Sequence, residues 1–249
     1  MTKSKKVFLE ICVDSVESAM AAQAGGADRV ELCANLNEDG TTPSAGMIAA
    51  ARKNLSIGLQ VLIRPRSGDF CYSVLEFEVM KKDITVAGEL GADGVVIGIL
   101  NPDRTIDVRR MRKLVQLARP LRVTFHRAFD VVVDPLPALE SLIKLEVDRI
   151  LTSGQAKTAM EGLARLTQFV KKADGRISIM PASGINAQNI HRLLEATGVY
   201  EIHIGSAVAA MQKNSAAEFF AAAQRMVDPE KVAALRQHMQ ISPESKNFT

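Results

Sequence analysis

The stretch Gly26-Ala-Asp-Arg-Val-Glu-Leu32, GADRVEL, returns in outline as Gly91–Ile97, GADGVVI, and as Glu146–Thr152, EVDRILT. Each copy sets an aspartate just before a short apolar run of strand length. Further runs of this kind lie near Val7–Cys12, Ile57–Arg64, Leu121–Arg127, Ile177–Pro181 and Tyr200–Gly205, which with Arg29–Cys33, Gly94–Ile99 and Arg149–Ser153 makes eight. Helical patterns fill the gaps. VESAMAAQAGG ends in glycine, the usual helix stop. TPSAGMIAAARKN opens with Thr42 as the expected cap and Pro43 as the first helical residue. VLEFEVMKKDITVAGELG and ALESLIKLE carry the same amphipathic spacing. Alternating strands and helices imply a parallel sheet. Eight units in a chain of 249 residues predict one closed (β/α)8 TIM-like barrel spanning 1–249, not an open sheet. A final helix is expected after Met226, then the polar tail Ser242–Thr249. No Gly-x-Gly-x-x-Gly follows the first strand, so no nucleotide cofactor is indicated.

Composition narrows the function. The net charge is +3 and aromatics make up 4% of the chain. Nucleic-acid binding calls for clustered basic residues and stacking aromatics, which argues against such a partner. No run approaches the roughly 18 apolar residues of a membrane span. The opening MTKSKKVFLEICV begins basic, but Glu10 interrupts its apolar run and no small-residue cleavage site follows, so it is not read as a secretory leader. Three cysteines in such a chain read as reduced cytoplasmic thiols.

Strand alternation then sorts the side chains. Aliphatic positions should face the helices, and their neighbours the barrel axis. In the first strand Val7, Leu9 and Ile11 face out, leaving Glu10 and Cys12 inside. In the second, Val30 and Leu32 leave Glu31 and Cys33 inside. The same parity turns Gln60, Arg64, Thr124, His126, Ser178, Met180 and His203 inward. The echo of FLEIC, Phe8–Cys12, in RVELC, Arg29–Cys33, thus aims two Glu–Cys pairs at one interior. Buried charges are costly unless paired. Arg64, the one cation expected on the inner faces of the first three strands, is the expected partner of Glu10 and Glu31.

Barrel sites lie at the C-terminal strand ends. IRPRSGDF places Arg64, Arg66 and Asp69 there, and TFHRAFD adds His126, Arg127 and Asp130. LTSG, MPASGIN and HIGSAV contribute Ser153, Gly184, His203 and Ser206. Two arginines within three residues suit a carboxylate or phosphate. Small Gly/Ser loops after the last strands are where barrels cradle phosphate. Glu10, Glu31 and His126 are the candidate acid–base groups. No lysine ends a strand, which argues against a Schiff-base aldolase.

ELC, TPSAG, IRPRSGDFCYS, GADGVVIG, TFHRAFD, ILTSG and MPASGIN, in this order from about Leu9 to Ala207, resemble the CutC family of copper homeostasis proteins. The resemblance implies a TIM-like barrel, a cytoplasmic location and a role in Cu(I) binding or trafficking. Paired cysteines are implicated in Cu(I) binding in some members. Here Cys12 and Cys33 would be the metal ligands, on adjacent strands, with Arg64 expected to favour a thiolate and Met180 as a further soft donor. Cys71, in a loop beside Tyr72, is not assigned to the site. Three readings remain open: a copper ion as partner; an enzyme acting on a small anionic, perhaps phosphorylated, metabolite; and a non-catalytic scaffold. A homo-oligomer is expected.

Overall fold

The computed structural model describes residues 6–211 and 225–239. Strands and helices alternate along the chain: β1 Phe8–Val13, α1 Val16–Ala24, β2 Arg29–Leu32, α2 Ala45–Asn54, β3 Gly58–Leu62, α3 Val74–Glu89, β4 Gly94–Ile97 and α4 Val108–Ala118. They continue with β5 Arg122–Phe125, α5 Pro135–Lys144, β6 Arg149–Thr152, α6 Leu163–Ala173, β7 Ser178–Pro181, α7 Ile190–Thr197 and β8 Glu201–Ile204. All eight strands run parallel in the order β7-β6-β5-β4-β3-β2-β1-β8. β8 also lies against β7 without a bonded ladder, so the sheet curls into a nearly closed barrel. A short antiparallel pair, β9 Ala209–Met211 with β10 Arg225–Val227, precedes the last helix, α8 Pro229–His238. That helix packs on α1 so tightly that a Cβ on Gly25 would lie 2.6 Å from the Pro229 carbonyl oxygen. The expected polar tail Ser242–Thr249 lies outside the described residues.

The repeated aspartate has a structural job at the base of the barrel. Asp28 accepts the Leu9 backbone N–H at 2.9 Å, Asp93 that of Leu59 at 2.8 Å, and Asp148 that of Val123 at 2.8 Å. In each case the carboxylate ahead of one strand holds the start of the preceding strand, satisfying an N–H that the ladder leaves over. Arginines anchor the carboxylates from outside: Arg236 on Asp28, Arg52 on Asp93, and both Arg119 and Arg122 on Asp148.

The core is the layer between strands and helices. Leu9, Ile11, Val30, Leu32, Leu59, Val61, Val123, Phe125, Ile150, Ile179, Ile202 and Ile204 all belong to one continuous cluster, as alternation required. One helix start differs from expectation. Ser44, not Thr42, caps α2, accepting from Met47 N–H at 3.2 Å, and Pro43 precedes the helix. Thr42 is occupied elsewhere: its hydroxyl accepts the Arg64 N–H and its own N–H donates to the Arg64 carbonyl, both at 2.9 Å. Among the described residues no helix is long and apolar enough to cross a membrane.

Candidate functional site

The barrel interior is built in two tiers. The lower tier is ionic. Arg29 binds Glu10 through Nε and Glu201 through Nη2, with Nη2 also 3.0 Å from the Met180 sulfur. Arg149 binds the same Glu201 and donates to the Thr124 hydroxyl at 3.0 Å. Two guanidiniums thus face two carboxylates, all buried. Burial alone would raise the carboxyl pKa values; Arg29 and His203 hold Glu10 well below the usual carboxylate range, and Arg149 with Arg29 lowers Glu201.

This corrects the expected partner of the glutamates. Arg64 does not touch Glu10 or Glu31. Its Nη1 donates to the carbonyls of Glu38 at 2.9 Å and Gly40 at 2.7 Å, and its Nη2 to that of Gly68 at 2.9 Å. It sits past the end of β3, where it ties the β2–α2 and β3–α3 loops together and stacks over Phe70 at 5.3 Å. The cation that serves Glu10 is Arg29, two residues before Glu31 and on the same face. Arg29, Arg149 and Glu201 escape sequence reasoning because each begins its strand, where a polar residue reads as a boundary. Parity was the available signal: 29, 31 and 33 share a face, as do 201 and 203.

The upper tier begins at His203. Strand register sets Glu10 beside it, and Glu10 Oε1 lies 2.7 Å from His203 Nδ1. The other ring nitrogen points to Glu31, Nε2 to Oε2 3.6 Å. Burial would lower the His203 pKa, but Glu31, Cys12 and Glu10 raise it well above the ordinary value. Burial raises the Glu31 carboxyl pKa against the pull of His203. Cys12 and Cys33 hold their sulfurs 3.8 Å apart as free thiols, and Cys33 donates to the Val13 carbonyl at 3.4 Å. Cys33, burial and Glu31 push the Cys12 thiol up. The groups acting on this thiol are therefore Cys33, Glu31 and His203, not Arg64 as expected. Met180 is also no free soft donor, since Arg29 engages its sulfur.

These residues floor a cavity of about 570 Å³ at the C-terminal mouth, lined also by Arg64, Phe70, His126, Arg127, Asp130, Gly184 and Ser206. His126 is fixed from three sides. Its Nδ1 accepts the Ala128 N–H at 3.1 Å, which puts the proton on Nε2. Phe70 lies against the ring at 4.9 Å, and a Cβ on Gly98 would come within 2.4 Å of it. Burial and the Arg64 charge bring its pKa down to about 3, so the ring is neutral, with Nε2 lacking any protein partner. Arg127 and Asp130 pair at 2.8 Å, and Asp130 accepts the backbone N–H groups of Ser153 and Gln155 at 3.0 and 3.1 Å. Ser153 is fully buried behind this pair and does not line the cavity. Arg66 and Asp69 also stand outside it. They pair with each other, and Arg66 binds Glu76 at 2.6 Å, the residue that completes the capping box of α3 with Ser73. Cys71 lies in the same loop, away from the lining.

The chain matches one family over most of its length. The CutC family profile aligns with residues 7–208. The chain belongs to the CutC family. It is 51% identical over 196 residues to the human copper homeostasis protein cutC homolog, covering 79% of this chain and 72% of that protein. It is 52% identical over 196 residues to a CutC family protein of Chromobacterium violaceum, covering 79% of each. Among solved structures, a CutC from Streptococcus agalactiae superposes with a TM-score of 0.76 at 35% identity, covering 80% of this chain and 98% of that one. A thiamine phosphate pyrophosphorylase from Pyrococcus furiosus, at 19% identity and a TM-score of 0.62, shares the fold alone. The chain is thus a copper homeostasis family member with a TIM-type barrel.

Proposed function

We propose that this protein binds Cu(I) through Cys12 and Cys33. The observation that carries the reading is the 3.8 Å separation of two free thiols on neighbouring strands, both facing the open mouth. Soft thiolates select Cu(I) over harder ions. A copper ion entering there displaces the proton that Cys12 holds when empty, so uptake releases protons. Family membership supports copper as cargo. The pair needs a reducing compartment, which fits the cytoplasm. Exposed Val74, Leu75 and Val79 on α3 support self-association as a homo-oligomer. The test is Cu(I) competition against a chelator. Cys12→Ser and Cys33→Ser should each weaken binding by more than tenfold; unchanged affinity in both removes them as ligands.

A second reading is supported by the size and lining of the mouth. A cavity of about 570 Å³ exceeds what a bare ion needs. Its wall includes the charged Arg64 and His126, whose buried Nε2 has no protein partner. Such a mouth suits a small anionic metabolite, with Glu31 and His126 as the groups nearest it for proton transfer.

A further inference from the structure

We propose that Cys12, Glu31 and His203 form a three-ligand site for a borderline divalent cation of the zinc type, with its fourth position open to the barrel mouth. It shares only Cys12 with the copper pair. One ligand atom from each of the three residues lies within 4.8 Å of the others. Bonds of about 2.0–2.3 Å around a tetrahedral centre put ligand atoms roughly 3.3–3.8 Å apart. The 3.6 Å between His203 Nε2 and Glu31 Oε2 already falls in that range. Small side-chain movements close the set on an ion.

The supporting shell is present as well. A metal-bound imidazole usually gives its other N–H to a carboxylate, which fixes the ring and its tautomer. Glu10 stands in that place at 2.7 Å from Nδ1, leaving Nε2 for the cation. Glu10 is itself locked by Arg29, and Arg29 by Glu201. The ionic tier below the site thereby orients the ligand above it.

Charge selects the valence. A Cys12 thiolate and a Glu31 carboxylate with neutral His203 sum to minus two. A divalent cation makes the buried set neutral, whereas Cu(I) leaves a negative charge that this interior would have to hold. Cys33 stays outside the set, its thiol turned to the Val13 carbonyl. All three ligands line the cavity, so the open position faces it. Three protein ligands with one free position is the pattern of zinc sites that bind a water or an oxygen-bearing substrate. The protons on Cys12 and His203 leave to solvent as the cation enters.

The test uses the reduced full-length chain with Zn²⁺, and Co²⁺ as its spectroscopic stand-in. Zn²⁺ affinity should fall about 100-fold or more in Cys12→Ser, Glu31→Gln and His203→Asn, and by about 10–100-fold in Glu10→Gln. Cys33→Ser should retain it. Co²⁺ should give four-coordinate visible bands with a thiolate charge-transfer band, the latter lost in Cys12→Ser and kept in His203→Asn at raised Co²⁺, which shows that variant folded. Dependence on both cysteines with indifference to Glu31 and His203 overturns the proposal and leaves the copper reading standing. Absence of any Co²⁺ spectrum in the unmutated protein also overturns it, whatever Cu(I) does.

Discussion

His203 and Glu10 meet in register across β8 and β1, Nδ1 2.7 Å from Oε1. That contact joins the two tiers of the interior. Below it Glu10 belongs to a closed set of buried ion pairs; above it the free face of His203 belongs to the cavity. A shift of Glu10 therefore moves a side chain that lines the cavity, so the ionic tier also sets the position of His203. Buried ion pairs are weak evidence for stability, because desolvation offsets much of their attraction.

The partner of Glu10 decides the first prediction. Arg29→Met leaves Glu10 with His203 alone and Glu201 with Arg149 alone, and breaking such a buried pair costs about 3–5 kcal/mol. Adding Glu10→Gln to Arg29→Met should recover part of that loss, because the uncompensated charge disappears with it. Arg64→Met should act differently, since its guanidinium serves loop carbonyls and leaves both glutamates as they were. Chemical denaturation of the four proteins measures this. A double variant no more stable than Arg29→Met alone would show the pair to be uncoupled.

The contrast between Arg29 and Arg64 also shows what the sequence could carry. Eight strands, their parallel order and the inward parity of Glu10, Cys12, Glu31, Cys33, His126 and His203 follow from alternation and repeat, because burial on both faces leaves register little freedom. The pairing of inward charges did not follow. Parity gives the face on which a side chain lies but not its height along the axis, and barrel stagger sets that height. Arg64 lies past the end of β3 and so reaches loops, while Arg29, at a strand start, lies level with Glu10. The loop residues Arg66 and Asp69 looked like ligand groups by composition, yet they pair with each other outside the cavity, and Arg66 also binds Glu76 at the start of α3. Likewise the aspartates of the fold-defining repeat looked like simple punctuation, and their hydrogen bonds to the preceding strand emerge only in three dimensions.

Those aspartates give the second prediction. Asp148 accepts the Val123 N–H at 2.8 Å and carries two arginines, and it is mostly buried. Asp148→Ala leaves that backbone donor unsatisfied, which costs about 1–3 kcal/mol. Asp148→Asn keeps an acceptor oxygen in place and should cost less, with the difference between the two variants reporting the N–H bond and the loss that remains in Asp148→Asn reporting the charge. Thermal or denaturant unfolding distinguishes them. Equal losses in the two variants would mean that the ion pairs, not the N–H bond, are what the aspartate contributes.

His126 gives the third. Its folded pKa is about 3 because burial and the neighbouring Arg64 disfavour the charged ring, while the unfolded chain titrates at the ordinary value of about 6.5. Between those values the unfolded state binds a proton that the folded state refuses. Stability from this group is therefore complete above about pH 6.5 and declines as pH falls toward about 3, by up to roughly 1.4 kcal/mol per pH unit within the window. His126→Gln removes the titration and keeps a side-chain N–H donor near the cavity. The unmutated protein should lose more stability than His126→Gln between pH 7 and pH 5, both measured by denaturant unfolding at matched ionic strength. The two curves should run parallel above pH 7.5, where the histidine is neutral in both states. Parallel curves down to pH 5 would mean that the ring takes up a proton inside the folded barrel, and with it that Nε2 is not part of a fixed neutral ring.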